Sequence, residues 1–178
     1  MKKLFFVLFS LTINVDTFAA FESTYEPLQS EKILFINGNI LDGEGNELLD
    51  TDLLIADGKI IAIGKGISVE DKDVKIIDAK NKWITPGIID IHSHMGVYPA
   101  PSVRTSSDGN EATSPVTAEV WAEHSMWVQD PQYALALKGG ITTFHVLPGS
   151  ANLIGGRGVT VKNLQRNTIQ SMKYPDAK

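Results

Sequence analysis

Two apolar runs with a helix between them constrain the fold of this chain more than any other feature. Residues 87–92 and 141–147 are near-continuous apolar segments, a pattern typical of strands buried on both faces. An Asp-Pro pair begins a predicted helix over residues 132–138, and two glycines end it. A strand, a crossover containing a helix and a second buried strand form a βαβ unit with parallel strands. We therefore predict the start of a parallel α/β sheet, with residues 158–162 as its third strand.

The segment before this unit has the pattern of short strands separated by turns. Residues 53–56 and 59–64 are apolar and flank Asp57-Gly58, and an Asx-Gly pair supplies the positive φ angles that a two-residue hairpin needs. The sequence therefore predicts a small β-sandwich over residues 21–85, and the α/β part over residues 86–178.

The first 20 residues have the pattern of a secretory signal peptide. Two lysines precede an apolar stretch over residues 4–15, and the segment ends in Ala19-Ala20. A bilayer span needs about 20 apolar residues, so export with cleavage near Ala19 or Ala20 is favoured over a membrane anchor or a buried helix. We predict a periplasmic or secreted protein without stable membrane insertion after cleavage.

Composition limits the partners and the metal ligands. The 178 residues carry a net charge of −5 and no long run of basic residues, which excludes the electrostatic footprint of a nucleic-acid-binding protein. Cysteine is absent, so a metal site would depend on histidines and carboxylates. The four histidines are His92, His94, His124 and His145.

The sequence Asp-Ile-His-Ser-His at the end of the first apolar strand is the candidate site. Residues two apart on a strand project to the same side, so His92 and His94 face one point while Ser93 faces away. They follow the C-terminal end of a parallel strand, where α/β folds place reactive groups. Two neutral imidazoles suit Zn²⁺. The alternative is a pair of polar residues that bond to loop backbone.

Residues 86–94 resemble the first-strand signature of the amidohydrolase superfamily, metal-dependent hydrolases built on a (β/α)₈ barrel. Residues 139–143 and 147–156 resemble its imidazolonepropionase-like branch, and the resemblance covers residues 32–178. It implies an α/β fold: a small β-sandwich followed by the first strands of an incomplete (β/α)₈ barrel. A complete barrel takes about 250 residues, so we expect an N-terminal fragment; the alternative is a small complete α/β domain.

The resemblance also implies the chemistry. His92 and His94 would be the first two ligands of one or two divalent metal ions, expected to be Zn²⁺. The remaining ligands, a Lys or Glu, two His and an Asp that acts as general base, would lie on later strands beyond Lys178. Since a catalytic zinc needs at least three protein ligands, we expect the fragment alone to bind metal weakly and to be inactive.

Two further residues are weaker candidates for substrate binding. His145, in the second apolar strand, either contacts substrate or is a hydrogen-bonded histidine that lines the barrel. Arg157, in a glycine-rich loop, either binds a substrate carboxylate or is a solvated loop residue. Residues 96–129 exceed the usual length of a βα loop and predict a lid or pocket wall, with a short helix over residues 115–124.

The sequence therefore predicts a hydrolase of carbon–nitrogen bonds in non-peptide or cyclic amides, with a small-molecule substrate. Hydrolysis of small peptides or of C–O or P–O bonds on the same scaffold stays open, as does a non-catalytic binding module of the cell envelope. The substrate itself and the oligomeric state are not predicted.

Overall fold

A computed structural model describes residues 20–175. The predicted signal peptide therefore lies, apart from Ala20, outside the described residues. The elements are β1 (Ile33–Leu41), β2 (Glu47–Ala56), β3 (Lys59–Gly64), β4 (Lys75–Asp78), β5 (Trp83–Ile84), β6 (Ile88–Ser93), α1 (Gln132–Lys138), β7 (Ile141–Val146) and β8 (Val159–Lys162), with 3₁₀ turns at Arg104–Ser106 and Ala122–His124. Among residues 20–175, no helix has the length and apolar character needed to cross a membrane.

The first five strands form one sheet in the order β3-β2-β1-β4, and β5 pairs with β1 further along. The pairs β1–β2 and β2–β3 are antiparallel, whereas β4 and β5 run parallel to β1. The predicted hairpin is confirmed between β2 and β3, where Asp57 and Gly58 have φ angles of 51° and 70°. Leu34, Ile40 and Leu53 are buried on this sheet.

The second sheet has the order β6-β7-β8. Strands β6 and β7 are parallel and are connected through α1, which confirms the predicted βαβ unit. Strand β8 pairs with β7 antiparallel, so the prediction of a third parallel strand is wrong. The reason is the connection: residues 147–158 contain no helix, and a parallel return needs a long crossover, usually helical, whereas a short loop brings the chain back antiparallel.

Helix α1 begins and ends as its flanking residues predict. The Asp130 carboxylate accepts the backbone N–H of Gln132 at 3.0 Å, and Gly139 closes the C-terminus by donating to the carbonyl of Ala136 at 3.0 Å. The helix packs Tyr133 against Phe144 of β7, with ring centres 5.9 Å apart. Phe144, Val146, Val161 and Met172 are fully buried and form the centre of the core under this sheet.

Strand β6 is not buried on both faces, contrary to the prediction from its apolar sequence. Ile88, Ile89 and Ile91 are 53%, 62% and 75% exposed. The physical reason is its position: β6 is an edge strand that pairs only with β7 within residues 20–175. Its apolar sequence is that of an interior strand, but no described element covers it.

The helix predicted over residues 115–124 is also wrong except for its last turn, Ala122–His124, which is 3₁₀. The backbone of this stretch pairs instead with the loop after β7, through bridges from Val116 to Ile154 and from Trp121 to Arg157. The fold class nevertheless agrees with the sequence: a strand-rich N-terminal unit precedes the first βαβ unit of an α/β sheet. The boundaries at residues 20 and 85 stay predictions.

Candidate metal centre

The histidine pair is placed by the C-terminal end of β6. Ser93, between the two histidines, is buried and pairs with Val146 of the core. Because side chains alternate along a strand, His92 and His94 lie on the face opposite the core. The Asp90 carboxylate accepts the backbone N–H of His92 at 3.1 Å, which fixes the backbone where the pair begins.

The two imidazole rings are close enough to bind one ion. Their centroids are 5.5 Å apart and their planes lie at 83°. Two imidazoles bound to one tetrahedral zinc, at ~2.0–2.1 Å per nitrogen, have ring centres roughly 5 Å apart. The observed separation of the rings is therefore compatible with two ligands of one ion.

The ring of His94 is oriented by a backbone carbonyl. Its Nδ1 lies 2.9 Å from the carbonyl oxygen of Leu147, and a carbonyl accepts hydrogen bonds only. Nδ1 is therefore the protonated nitrogen and donates, which leaves the lone pair on Nε2. This is the arrangement by which proteins fix the tautomer of a metal-binding histidine.

The backbone after His94 is held by Asp130. The N–H groups of Val97 and Tyr98 donate to the carbonyl of His94 at 3.2 and 3.1 Å, and Gly96 donates to the Asp130 carboxylate at 3.1 Å. Asp130 is 1% exposed and also caps α1. The sequence predicted only the cap. The hydrogen bond between Asp130 and Gly96 joins residues 34 positions apart, and no local sequence pattern marks it.

The described residues supply His92 and His94 as two candidate ligands, fewer than a metal centre needs. Within residues 20–175, no group of three His, Cys, Asp or Glu side chains is arranged to hold a metal ion. The tautomer of His94 and the separation of the two rings fit one half of a zinc site. Further ligands stay a prediction for later strands.

His145 lies on the same face of the sheet as the pair, because Val146, its neighbour, points to the core with Ser93. Its Nδ1 lies 3.0 Å from the hydroxyl of Thr160 on β8. This hydrogen bond fits one of the two interpretations of His145 that the sequence left open, a hydrogen-bonded histidine that lines the barrel. Its contact with substrate stays a prediction.

Arg157 is engaged by an aromatic ring. Its guanidinium carbon lies 4.6 Å from the centre of the Trp121 ring, a cation–π contact, and the backbones of the two segments are also bonded. Binding of a substrate carboxylate would compete with this contact, and that role stays a prediction.

The exposed His124 lies apart from these residues, with its ring centre 4.8 Å from that of Phe21.

No family model matches the chain. It is 35% identical over 114 residues to a protein named amidohydrolase tasK from Hapsidospora irregularis, and 35% identical over 117 residues to a dihydroorotase from Bacillus cytotoxicus. In structure it is similar to an amidohydrolase from Thermotoga maritima, with a TM-score of 0.70 and 38% identity over 82% of this chain.

In sequence and in structure, the chain is similar to members of the amidohydrolase superfamily. The resemblance predicted from residues 86–94 is confirmed at this level, and the branch within the superfamily stays a prediction. The sequence matches cover 63% and 66% of this chain but only 12% and 21% of the two relatives, and the structural match covers 37% of the Thermotoga protein.

Proposed function

We propose that the protein carrying this chain is a metal-dependent hydrolase that acts on carbon–nitrogen bonds of small molecules, non-peptide amides or cyclic amides. The observation that carries the proposal is the pair His92 and His94, whose ring centres lie 5.5 Å apart at the C-terminal end of β6. The names of the relatives, amidohydrolase and dihydroorotase, support the carbon–nitrogen class.

The pair would supply the first two nitrogen ligands of a divalent ion, which we propose to be Zn²⁺, in a site of one or two ions. A bound divalent ion lowers the pKa of its water ligand to about 7 and polarises a carbonyl oxygen. In this chain His94 presents Nε2 because its Nδ1 donates to Leu147. The general base and the other ligands are proposed to lie on strands after Lys178.

We also propose that the protein is exported and acts in the periplasm or outside the cell. The support is the signal-peptide pattern of residues 1–20. The net charge of −5 is unfavourable for binding nucleic acid, so the partner proposed is a small-molecule substrate.

The test replaces His92 and His94 by Ala, singly and together, in the full-length protein. We expect each variant to lose bound metal and to lower turnover of cyclic amides by at least about 100-fold, since both remove a direct ligand. Metal content is measured by mass spectrometry of the purified protein, and folding by its melting temperature. His124→Asn is the matched control for metal content, because His124 lies outside the pair.

A chelator provides the complementary measurement. Removing metal should abolish activity and adding Zn²⁺ should restore it in the wild-type protein. A double variant that keeps both metal and activity would contradict the proposal. A folded wild-type protein that binds no divalent metal would favour a non-catalytic binding module.

A further inference from the structure

Glu123 and Lys173 form a buried ion pair that the proposed hydrolase chemistry does not use. Lys173 Nζ lies 2.7 Å from Glu123 Oε2, and the two side chains are 6% and 0% exposed. Glu123 belongs to the 3₁₀ turn Ala122–His124, whereas Lys173 lies beside β8, bridged to Val161. The pair thus joins residues 96–129 before α1, which we call the wall segment, to the segment after β8.

Both members of the pair also bind the backbone of Phe21. The Phe21 N–H donates to Glu123 Oε1 at 2.8 Å, and Lys173 Nζ donates to the Phe21 carbonyl at 2.7 Å. A buried ion pair is tolerated only when its remaining hydrogen-bonding capacity is satisfied. Phe21 satisfies one bond on each charge, so the pair forms a built site for one residue's main chain.

Residues 21–24, which we call the N-terminal strap, are held mainly through their backbone and one hydroxyl. The Ser23 hydroxyl donates to the Lys173 carbonyl at 2.7 Å, and the Thr24 N–H donates to the Gln170 carbonyl at 3.0 Å. The Phe21 ring rests on His124 but is 39% exposed. Burial of strap side chains therefore explains little of the attachment, and the Glu123–Lys173 pair supplies its only contacts with charged groups among those described here.

The strap begins where the signal-peptide pattern ends. We propose that the Glu123–Lys173 pair is the binding site for the N-terminus of the mature chain, released when a leader peptidase hydrolyses the bond before Ala20 or before Phe21. Hydrolysis consumes one water and leaves a carboxylate on the leader and an ammonium on the mature chain. The inference rests on the proposed export and not on the hydrolase activity.

The site matches the chemistry of a new N-terminus. An ammonium on Phe21 would replace its amide N–H at the same Glu123 oxygen, and one on Ala20 lies a single residue, about 3.8 Å between Cα atoms, further along. Bonds from a charged donor to a carboxylate are stronger than those from a neutral amide. Docking joins the strap to Trp121–Trp127, and His124 and Trp127 of that segment line an open cavity of about 400 Å³.

The first experiment locates the mature end. The full natural protein is expressed with its own leader, isolated from the exported fraction, and its N-terminus is determined by mass spectrometry. A start at Ala20 or Phe21 is expected. A retained leader overturns both the proposed export processing and this inference, whereas a start beyond Phe21 overturns the inference alone.

The second experiment measures protection of the terminal amine. An amine-reactive reagent at pH 7 labels the α-amine selectively, because its pKa is near 8 whereas that of lysine is about 10.4. We expect labelling of the native wild type to be about fivefold slower than that of Glu123→Gln. Glu119→Gln, at an exposed position four residues before Glu123, is the control and should label like the wild type.

Denaturing urea supplies a reference that needs no variant, since the wild type should lose its protection there. Equal rates for the native wild type, Glu123→Gln and the urea-unfolded protein would overturn the inference. Neither readout depends on metal or turnover, so this failure is distinguishable from a failure of the hydrolase proposal.

Discussion

The imidazole of His145 lies directly against the backbone of Gly158, the residue before β8. A Cβ atom at position 158 would lie 2.7 Å from His145 Nε2 and 2.9 Å from the carbonyl oxygen of Val146. Both distances are shorter than a carbon atom tolerates, and the carbonyl belongs to a buried strand that cannot move easily. The glycine is therefore required by close approach at this position.

We predict that Gly158→Ala lowers the free energy of unfolding by about 1–3 kcal/mol, because the added methyl group overpacks the site. Gly64→Ala is the matched control: nothing lies within 4 Å of its added Cβ, so we expect a change of less than about 0.5 kcal/mol. Urea unfolding of both variants checks the difference. Equal effects would show that His145 and Val146 do not confine position 158.

The shared face of His92 and His94 could be predicted from the sequence, whereas the contacts that support the pair could not. The alternation of a strand is local, so the spacing of His92 and His94 determines that their rings share a face. The carbonyl of Leu147 that orients His94 is a backbone atom 53 residues away. Any residue type supplies such a carbonyl, so no sequence pattern marks it.

Asp52 of β2 joins three parts of the N-terminal sheet. Its carboxylate accepts the backbone N–H groups of Asn37 in β1, at 3.0 Å, and of Ile67 after β3, at 3.1 Å. The hydrogen bond from Asn37 is the main cause that holds the pKa of Asp52 below its usual value, with those from Ile67 and Gly66 acting the same way and desolvation opposing them. The carboxylate thus stabilises the fold only while it is ionised.

A lowered folded-state pKa gives a definite sign to the pH dependence. The stabilisation from Asp52 is fully present above its unfolded pKa of about 3.9 and is lost as the pH falls through the lower folded-state value. We predict that Asp52→Asn lowers the free energy of unfolding by about 1 kcal/mol at pH 7. The variant should also lose less of its free energy of unfolding than the wild type does between about pH 5 and pH 2, the range in which aspartate titrates. Denaturant titrations at several pH values check this.

Glu47→Gln, at an exposed position at the start of the same strand, is the control and should keep the wild-type acid sensitivity. If Asp52→Asn also keeps it, the ionised carboxylate of Asp52 does not contribute to the stability of the sheet.

Elements defined by neighbouring residues were predictable, and elements defined by distant pairing were not. The Asp57-Gly58 hairpin and helix α1 depend on turn and cap residues within a few positions, and both are confirmed. The direction of β8 and the fate of residues 115–124 depend on pairing across the fold. There the backbone of Val120 accepts the N–H of Arg157 at 2.7 Å, a contact that competes with helix formation.

At the scale of the whole molecule, the exposed face of β6 conflicts with its sequence. Ile89 and Ile91 are more than half exposed, although their apolar run is typical of interior strands. Long apolar edge strands are normally covered in native proteins. The expectation that further strands of a barrel cover β6 stays a prediction, and it has a direct test.

We predict that Ile89→Thr changes the free energy of unfolding by less than about 0.5 kcal/mol in the 178-residue chain and lowers it by about 2 kcal/mol in the full-length protein. Threonine keeps the β-branched shape, so the strand preference is little changed. Phe144→Leu, at a fully buried position, should destabilise both forms. An equally small effect of Ile89→Thr in both would mean that β6 stays exposed.

The wall segment before α1 and the glycine-rich loop after β7 are joined along their length. The N–H of Thr117 donates to the carbonyl of Ile154, that of Ala122 donates to Arg157, and the Arg157 side chain stacks on Trp121. Each segment therefore supplies hydrogen-bond partners for the backbone of the other. Anyone who transplants one of these loops from a relative to alter selectivity must therefore transplant its companion as well, and natural lineages should have exchanged the two together.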